Sequence, residues 1–289
     1  LFFKEEENEM KKRIALLTLL LMVMSTIFSG CTSGKESESE TKNETESALQ
    51  SETQDVVTGE ETTILLAAAA SLEYCMKDEL IPMFEEANPG IKVEGTYDSS
   101  GKLQTQIEEG ADVDVFMSAA MKQMDALDEA GLIMDDTIVS LLENKIVLIV
   151  PTQSQLTMDS FEDIVNAETI AIGDPESVPA GQYAKESLES LGLWEEVSAK
   201  ASFGTNVTEV LNWVAEGSAD AGIVYATDAA TTDDVVVVAE APEDSVSKVI
   251  YPVGIVASTT KEGAAKLFID FLQSDEALAV FENYGFTPQ

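Results

Sequence analysis

The sequence predicts an α/β protein of two lobes, each a mainly parallel sheet flanked by helices, the lobes joined by two hinge strands. Three observations carry this. From Thr63 onward, short apolar runs alternate with helical patterns, the order that builds parallel sheets. Two longer apolar runs, Lys145 to Val150 (KIVLIV) and Lys248 to Val256 (KVIYPVGIV), stand where a chain would leave one lobe and return to it. Several strand ends run directly into Ser-, Gly- or Pro-containing turns that open helices, which places those turns at the sheet edge where open α/β folds bind ligands.

The chain has 289 residues and an apolar fraction of 45%, enough for a sizeable core. Sixteen basic residues face 54 acidic ones, a formal charge of -38, so nucleic acid is excluded as a partner. Histidine is absent, which removes the usual base of a serine or cysteine triad and the commonest transition-metal ligand. Cys31 and Cys75, the two cysteines, sit in such different settings that both are expected to be unpaired.

From Met10 the chain reads MKKRIALLTLLLMVMSTIFSGC, a basic start, an apolar run and small residues before Cys31. This is an export signal, shorter than the about 20 apolar residues of a membrane span. Leu1 to Glu9 is expected to lie upstream of the true start. The Ser-Gly-Cys ending resembles the lipobox of bacterial lipoproteins, with Phe28 where leucine is usual, and implies a lipid on Cys31. Thr32 to Glu61, rich in Ser, Thr and Glu, is expected to be a disordered tether. Asn43 and Asn206 begin glycosylation sequons that imply no sugar in a bacterial protein.

The folded part opens with Thr63 to Ala69 (TILLAAA), a buried strand, followed by a helix with Leu72, Met76, Leu80, Met83 and Phe84 facing the core. Ser71 is expected at that helix's N-cap. Cys75, in the first turn, reads as a small core residue. Ile91 to Tyr97 alternates as a strand, and the turn Asp98-Ser99-Ser100-Gly101 leads into a helix carrying Leu103 and Ile107. Asp112 to Ser118 is a third strand, and the helix after it ends at Gly131.

Beyond the first crossing, Thr169 to Ile172 reads as a strand that enters GDPESVPAGQYAKE, Gly173 to Glu186. Here Gly173, Pro175, Pro179 and Gly181 shape a helix entrance whose first N–H groups are unpaired, a ready anion site. Ala180 offers only its backbone N–H. Asn206 and Glu209 have capping-box spacing for a helix beginning at Val207, and Ala221 to Tyr225 is a strand ending in a tyrosine hydroxyl. After the second crossing, two closing helices return the chain to lobe one. The domain map is therefore 1–30 signal with its extension, 31–61 lipidated cysteine and linker, 62–147 lobe one, 148–251 lobe two and 252–289 the return to lobe one.

AAAASL at Ala67 to Leu72, YDSSGKL at Tyr97 to Leu103, GDPESVPAGQYAKE, AGIVYATDA and YPVGIV together resemble the molybdate-binding proteins of bacterial ABC importers, over about Thr62 to Gln289. The resemblance implies a type II periplasmic-binding fold, no catalysis and no cofactor. It implies a molybdate or tungstate ligand, an ABC permease partner, a monomer, and an extracytoplasmic location with the membrane reached through Cys31. Carried over by position, the contacts would be Ser71 and Ser100, the N–H groups of Ala180 and Val207, and the Tyr225 hydroxyl. Sulfate or another tetrahedral oxyanion is the alternative ligand. A hydrolase built on Ser71 or Ser100 with Lys102 is the alternative class, and the lack of histidine counts against it. Asp98 departs from the family's small residue at its position, and alternation from Tyr97 predicts that it points away from the cleft.

Overall fold

A computed structural model describes residues 61–289; the signal, Cys31 and the linker lie outside the described residues. Two sheets organise the chain. The first has six strands in the order β11-β4-β10-β3-β1-β2 and the second five in the order β7-β6-β8-β5-β9.

In the first sheet, β1 (Thr62–Ala69) pairs in parallel with β2 (Ile91–Asp98) and β3 (Val115–Met117). The returning strand β10 (Val249–Ile255) then joins antiparallel to β3 and to β4 (Val139–Asn144), and β11 (Thr287–Pro288) closes the edge. The second sheet repeats the plan. Its β6 (Ile170–Gly173) lies parallel to β7 (Ala201–Gly204) and β8 (Ala221–Tyr225), while β5 (Ile146–Pro151) runs antiparallel to β8 and β9 (Val235–Glu240). Both sheets are thus mixed. Their parallel halves come from strand–helix–strand units, and their antiparallel halves from the strands on either side of the two crossings.

The structure is a type II periplasmic-binding fold of two sheets flanked by helices. Each crossing strand belongs wholly to one sheet, so the chain changes sheet at Lys145 and again between Glu240 and Val249. These points precede the 147/148 and 251/252 boundaries read from the sequence, because an apolar run signals burial without saying in which sheet.

The first helical stretch is segmented: a 3-10 turn Ala70–Leu72, α-helix Glu73–Cys75, a π turn Met76–Leu80 and α-helix Ile81–Ala87. Pro82 has no N–H and its ring would clash with the carbonyl four residues back, and the wider π turn makes room for it. Leu72, Met76, Leu80 and Phe84 are fully buried, as their spacing predicts. Cys75 is buried with them; its thiol donates to the Leu72 carbonyl, and burial pushes its pKa up to about 12, so it is an inert core residue.

Between β6 and the helix Pro179–Ser190, Asp174 holds the loop. Its carbonyl accepts from the Ser177 and Val178 N–H groups, and its carboxylate accepts from the Glu176 N–H at 3.0 Å. Pro179 then stands in the first helical turn, where its missing N–H costs nothing. Gly181 packs so closely on the end of β6 that a Cβ there would lie 1.9 Å from the Gly173 carbonyl oxygen. That contact fixes the helix start against the strand end.

Candidate functional site

Five helix entrances and strand ends from the two sheets meet around one small cavity. Ser71, Ser100, Ala180, Val207 and Tyr225 all line it, as do Ala69, Ala70, Asp98, Ser99, Ala119, Val178 and Pro179. The first sheet supplies the ends of β1 and β2, and the second supplies the end of β8 and the entrances of helices Pro179–Ser190 and Val207–Ala215. All five positions singled out in the sequence are brought together.

Ser71 is not an N-cap. It lies inside the Ala70–Leu72 turn, whose N-cap residue is Ala69, and no side chain caps the turn. Its hydroxyl is 2.9 Å from the hydroxyl of Tyr251. Ser100 opens the helix Ser100–Glu108 and is fully buried; its Oγ accepts from the Ala119 N–H at 3.0 Å, which leaves its proton to be donated. The Ala180 and Val207 N–H groups belong to first helical turns and have no carbonyl within their own helices to bond. Asn206 caps the second of these helices by accepting from the Glu209 N–H. Glu209 reaches back to the Thr205 N–H instead of that of Asn206, so the reciprocal half of the capping box is shifted by one residue.

Tyr225 is buried, and its hydroxyl lies 3.4 Å from the Ala119 carbonyl, a long bond across the two lobes. Burial, reinforced by the neighbouring Tyr251, holds its pKa well above the usual phenol range, so it remains a donor at any physiological pH. It is packed in the core and lines the cavity at once.

Asp98, the last residue of β2, is among the residues that line the cavity. Its carboxylate accepts from the Ser99 N–H at 2.7 Å and from the Lys102 ammonium at 3.1 Å. Lys102, one helical turn on, neutralises the charge.

Two features escaped the sequence. Ser99, the N-cap residue of the helix Ser100–Glu108, makes no capping bond, and its buried hydroxyl has no partner while the residue lines the cavity. Behind Ser71, Tyr251 and Asn144 form a buried polar pair. Ser99 stood in the turn beside Ser100, and Tyr251 was a polar tip in an apolar strand.

The lobes are in contact at the cavity mouth. The Gly101 N–H donates to the Ser177 carbonyl at 3.0 Å, and the Gln123 side-chain amide donates to that of Gln182 at 3.1 Å. At the back, Asn144 donates to Thr227 at 2.8 Å.

The cavity therefore offers hydroxyl and amide protons, with no unpaired charge on its wall. A fully ionised oxyanion has only acceptors, and such a wall matches it. A wider depression lies at the crossings, beside Glu143, Lys145, Glu240 and Lys248. There the lysines are paired with the glutamates, so no positive charge is left for an anion.

Residues 64–287 match the family model for bacterial extracellular solute-binding protein. The chain is 40% identical over 276 residues to YvgL of Bacillus subtilis (strain 168), provisionally named an ABC transporter substrate-binding lipoprotein, covering 96% of this chain and 97% of that one. It is 39% identical over 234 residues to the molybdate-binding protein ModA of Escherichia coli (strain K12), covering 79% and 90%. Among solved structures, the substrate-binding domain of a provisionally named molybdenum ABC transporter from Clostridium difficile superposes with a TM-score of 0.62 at 37% identity, covering 78% of this chain and 98% of that one. The chain belongs to the bacterial extracellular solute-binding proteins, a non-catalytic family, as an extracytoplasmic ABC-transporter component closely related to the molybdate-binding members.

Proposed function

We propose that the chain captures molybdate, and with it tungstate, between its lobes and delivers the ion to an ABC permease while a lipid on Cys31 holds it at the membrane. The observation that carries this reading is the convergence of Ser71, Ser100, Ala180, Val207 and Tyr225, from both sheets, on one small cavity. Each supplies a neutral donor. Ser99 adds an unpartnered buried hydroxyl at the same wall, and we count it as a sixth.

Hydrogen bonds to a charged group contribute about 1.5–3 kcal/mol each, so five or six offset the cost of stripping water from a dianion. First-turn helix amides add about 0.3–2 kcal/mol per terminus. The net charge of -38 opposes approach, yet exposed charges are screened beyond about 8 Å at physiological salt. The local donors decide the outcome.

Isothermal titration of the purified chain with molybdate and tungstate tests this, and absence of heat with both overturns it. Because neutral donors suit any tetrahedral dianion, sulfate is titrated in competition. Equal affinity for sulfate and molybdate would move the assignment to tetrahedral oxyanions in general.

A further inference from the structure

We propose that Tyr251 and Asn144 are positioning residues that force the Ser71 hydroxyl to point its proton into the cavity; this rests on the oxyanion reading given above. Neither residue lines the cavity. Both are buried behind it, Tyr251 completely.

The argument is one of proton order. The Asn144 carbonyl oxygen accepts from the Lys145 N–H at 2.8 Å, which fixes the amide so that its NH₂ faces inward. That NH₂ donates to the Thr227 hydroxyl at 2.8 Å and to the Tyr251 hydroxyl at 3.2 Å. Asn144 thus presents only donors to Tyr251, whose own proton needs an acceptor in a fully buried place. Its nearest acceptor is the Ser71 Oγ at 2.9 Å, the neighbouring Tyr225 hydroxyl being directed to the Ala119 carbonyl. Ser71 must therefore accept from Tyr251, and its single proton is left for the cavity that it lines. Burial first, and then the nearby Asp228, hold the Tyr251 phenol well above its ordinary pKa, so its proton is present at any physiological pH.

The chain of bonds begins at the crossing between the lobes. Asn144 is the last residue of β4, Lys145 the crossing itself, and Thr227 the second residue of the lobe-two helix Ala226–Ala229. The amide that orients Ser71 is thus also one of the bonds between the lobes. A serine without this relay would divide its proton between Tyr251 and the cavity.

The test is a double-mutant cycle on the full chain, read by molybdate titration calorimetry. Tyr251→Phe keeps the edge-to-face contacts with Tyr225 and Phe286 and leaves Asn144 its bond to Thr227, so the fold is retained. We expect it to weaken molybdate binding about tenfold, one bond's orientation being lost. In a Ser71→Ala background the same change should cost nothing beyond about twofold, because its route to the ion is gone. A purely structural role for Tyr251 would weaken binding equally in both backgrounds, and that result overturns the proposal. So does unchanged affinity in Tyr251→Phe, in which case the oxyanion reading survives. Failure of the unsubstituted chain to bind any tetrahedral oxyanion overturns both readings together. Thermal melting of the ligand-free variants guards against misfolding, and Asn144→Ala, which removes the donor upstream, should reproduce the loss in the Ser71 background and not in the Ala background.

Discussion

The Gly101 amide donates across the cleft to the Ser177 carbonyl at 3.0 Å, and a Cβ on Gly101 would stand 2.4 Å from that same oxygen. The helix that carries Ser100 and the loop that leads to Ala180 can approach this closely only because residue 101 has no side chain. The obstacle would be backbone on the far side, which no rotamer change relieves.

Gly101→Ala should therefore hold the lobes apart. Alanine is favoured over glycine within a helix by about 1 kcal/mol, so the ligand-free melting temperature should stay level or rise. Molybdate affinity should fall at least tenfold, and small-angle scattering should no longer report compaction on adding the ion. Unchanged affinity would show that closure does not need this contact.

Ser100→Ala and Tyr225→Phe each delete one donor to a charged ligand, a loss of about 1.5–3 kcal/mol, or about 10- to 150-fold in affinity. Ser99→Ala sharpens the comparison. Its buried hydroxyl has no partner within the protein, so removing it should leave stability level or raise it while weakening the complex. Calorimetry with parallel melts separates the two effects. Affinity untouched by all three changes would remove the cavity from consideration.

Lys102 shields the cavity from Asp98. The pair is partly exposed and adds little to stability, but Asp98 is one of the residues of the cavity wall. Lys102→Ala should weaken dianion binding several-fold, more at low salt than at high, and Asp98→Asn in the same chain should restore it. A loss that the second change does not repair would mean that Lys102 acts on the ion directly.

The sequence exposed the site more fully than the frame around it. Ser71, Ser100, Ala180, Val207 and Tyr225 stand at strand ends and helix starts, and such junctions are marked locally by glycine, proline and capping residues. Strands β4, β7 and β9 carry weaker marks. Val139–Asn144 mixes polar and apolar residues, Ala201–Gly204 is short, and Val235–Glu240 is an edge strand with Val236 and Val237 exposed. Their pairing is decided by partners far along the chain, which no local pattern records. The same holds for Tyr251 and Ser71, 180 residues apart.

Two buried carboxylates should shape the pH dependence of stability in opposite senses. Asp228, at the start of the helix after β8, has one carboxylate oxygen without a partner, and burial outweighs nearby backbone N–H groups to push its pKa up from 3.8 to about 7. The folded chain then binds a proton that the unfolded chain has released, so stability falls as pH rises between about 4 and 7. Asp114 is the reverse case. Burial alone would raise its pKa, but bonds from Lys261, Thr259 and the Leu65 N–H outweigh burial and hold it below the usual carboxylate range. Its contribution is present above the unfolded pKa of about 4 and is lost as pH falls through the lower folded value. Melting temperature measured from pH 3 to pH 8 should therefore decline toward neutrality in the native chain. Asp228→Asn should flatten the slope between about pH 4 and 7 whatever it does to the absolute level, because the titrating group is gone. Asp114→Asn should lower stability at neutral pH and flatten the acid limb below about pH 4, leaving the neutral slope in place. If the Asp228→Asn curve keeps the native slope, the proton is not held there, and the hinge-side cluster of Asp228, Tyr225 and Tyr251 is solvated more than its burial implies.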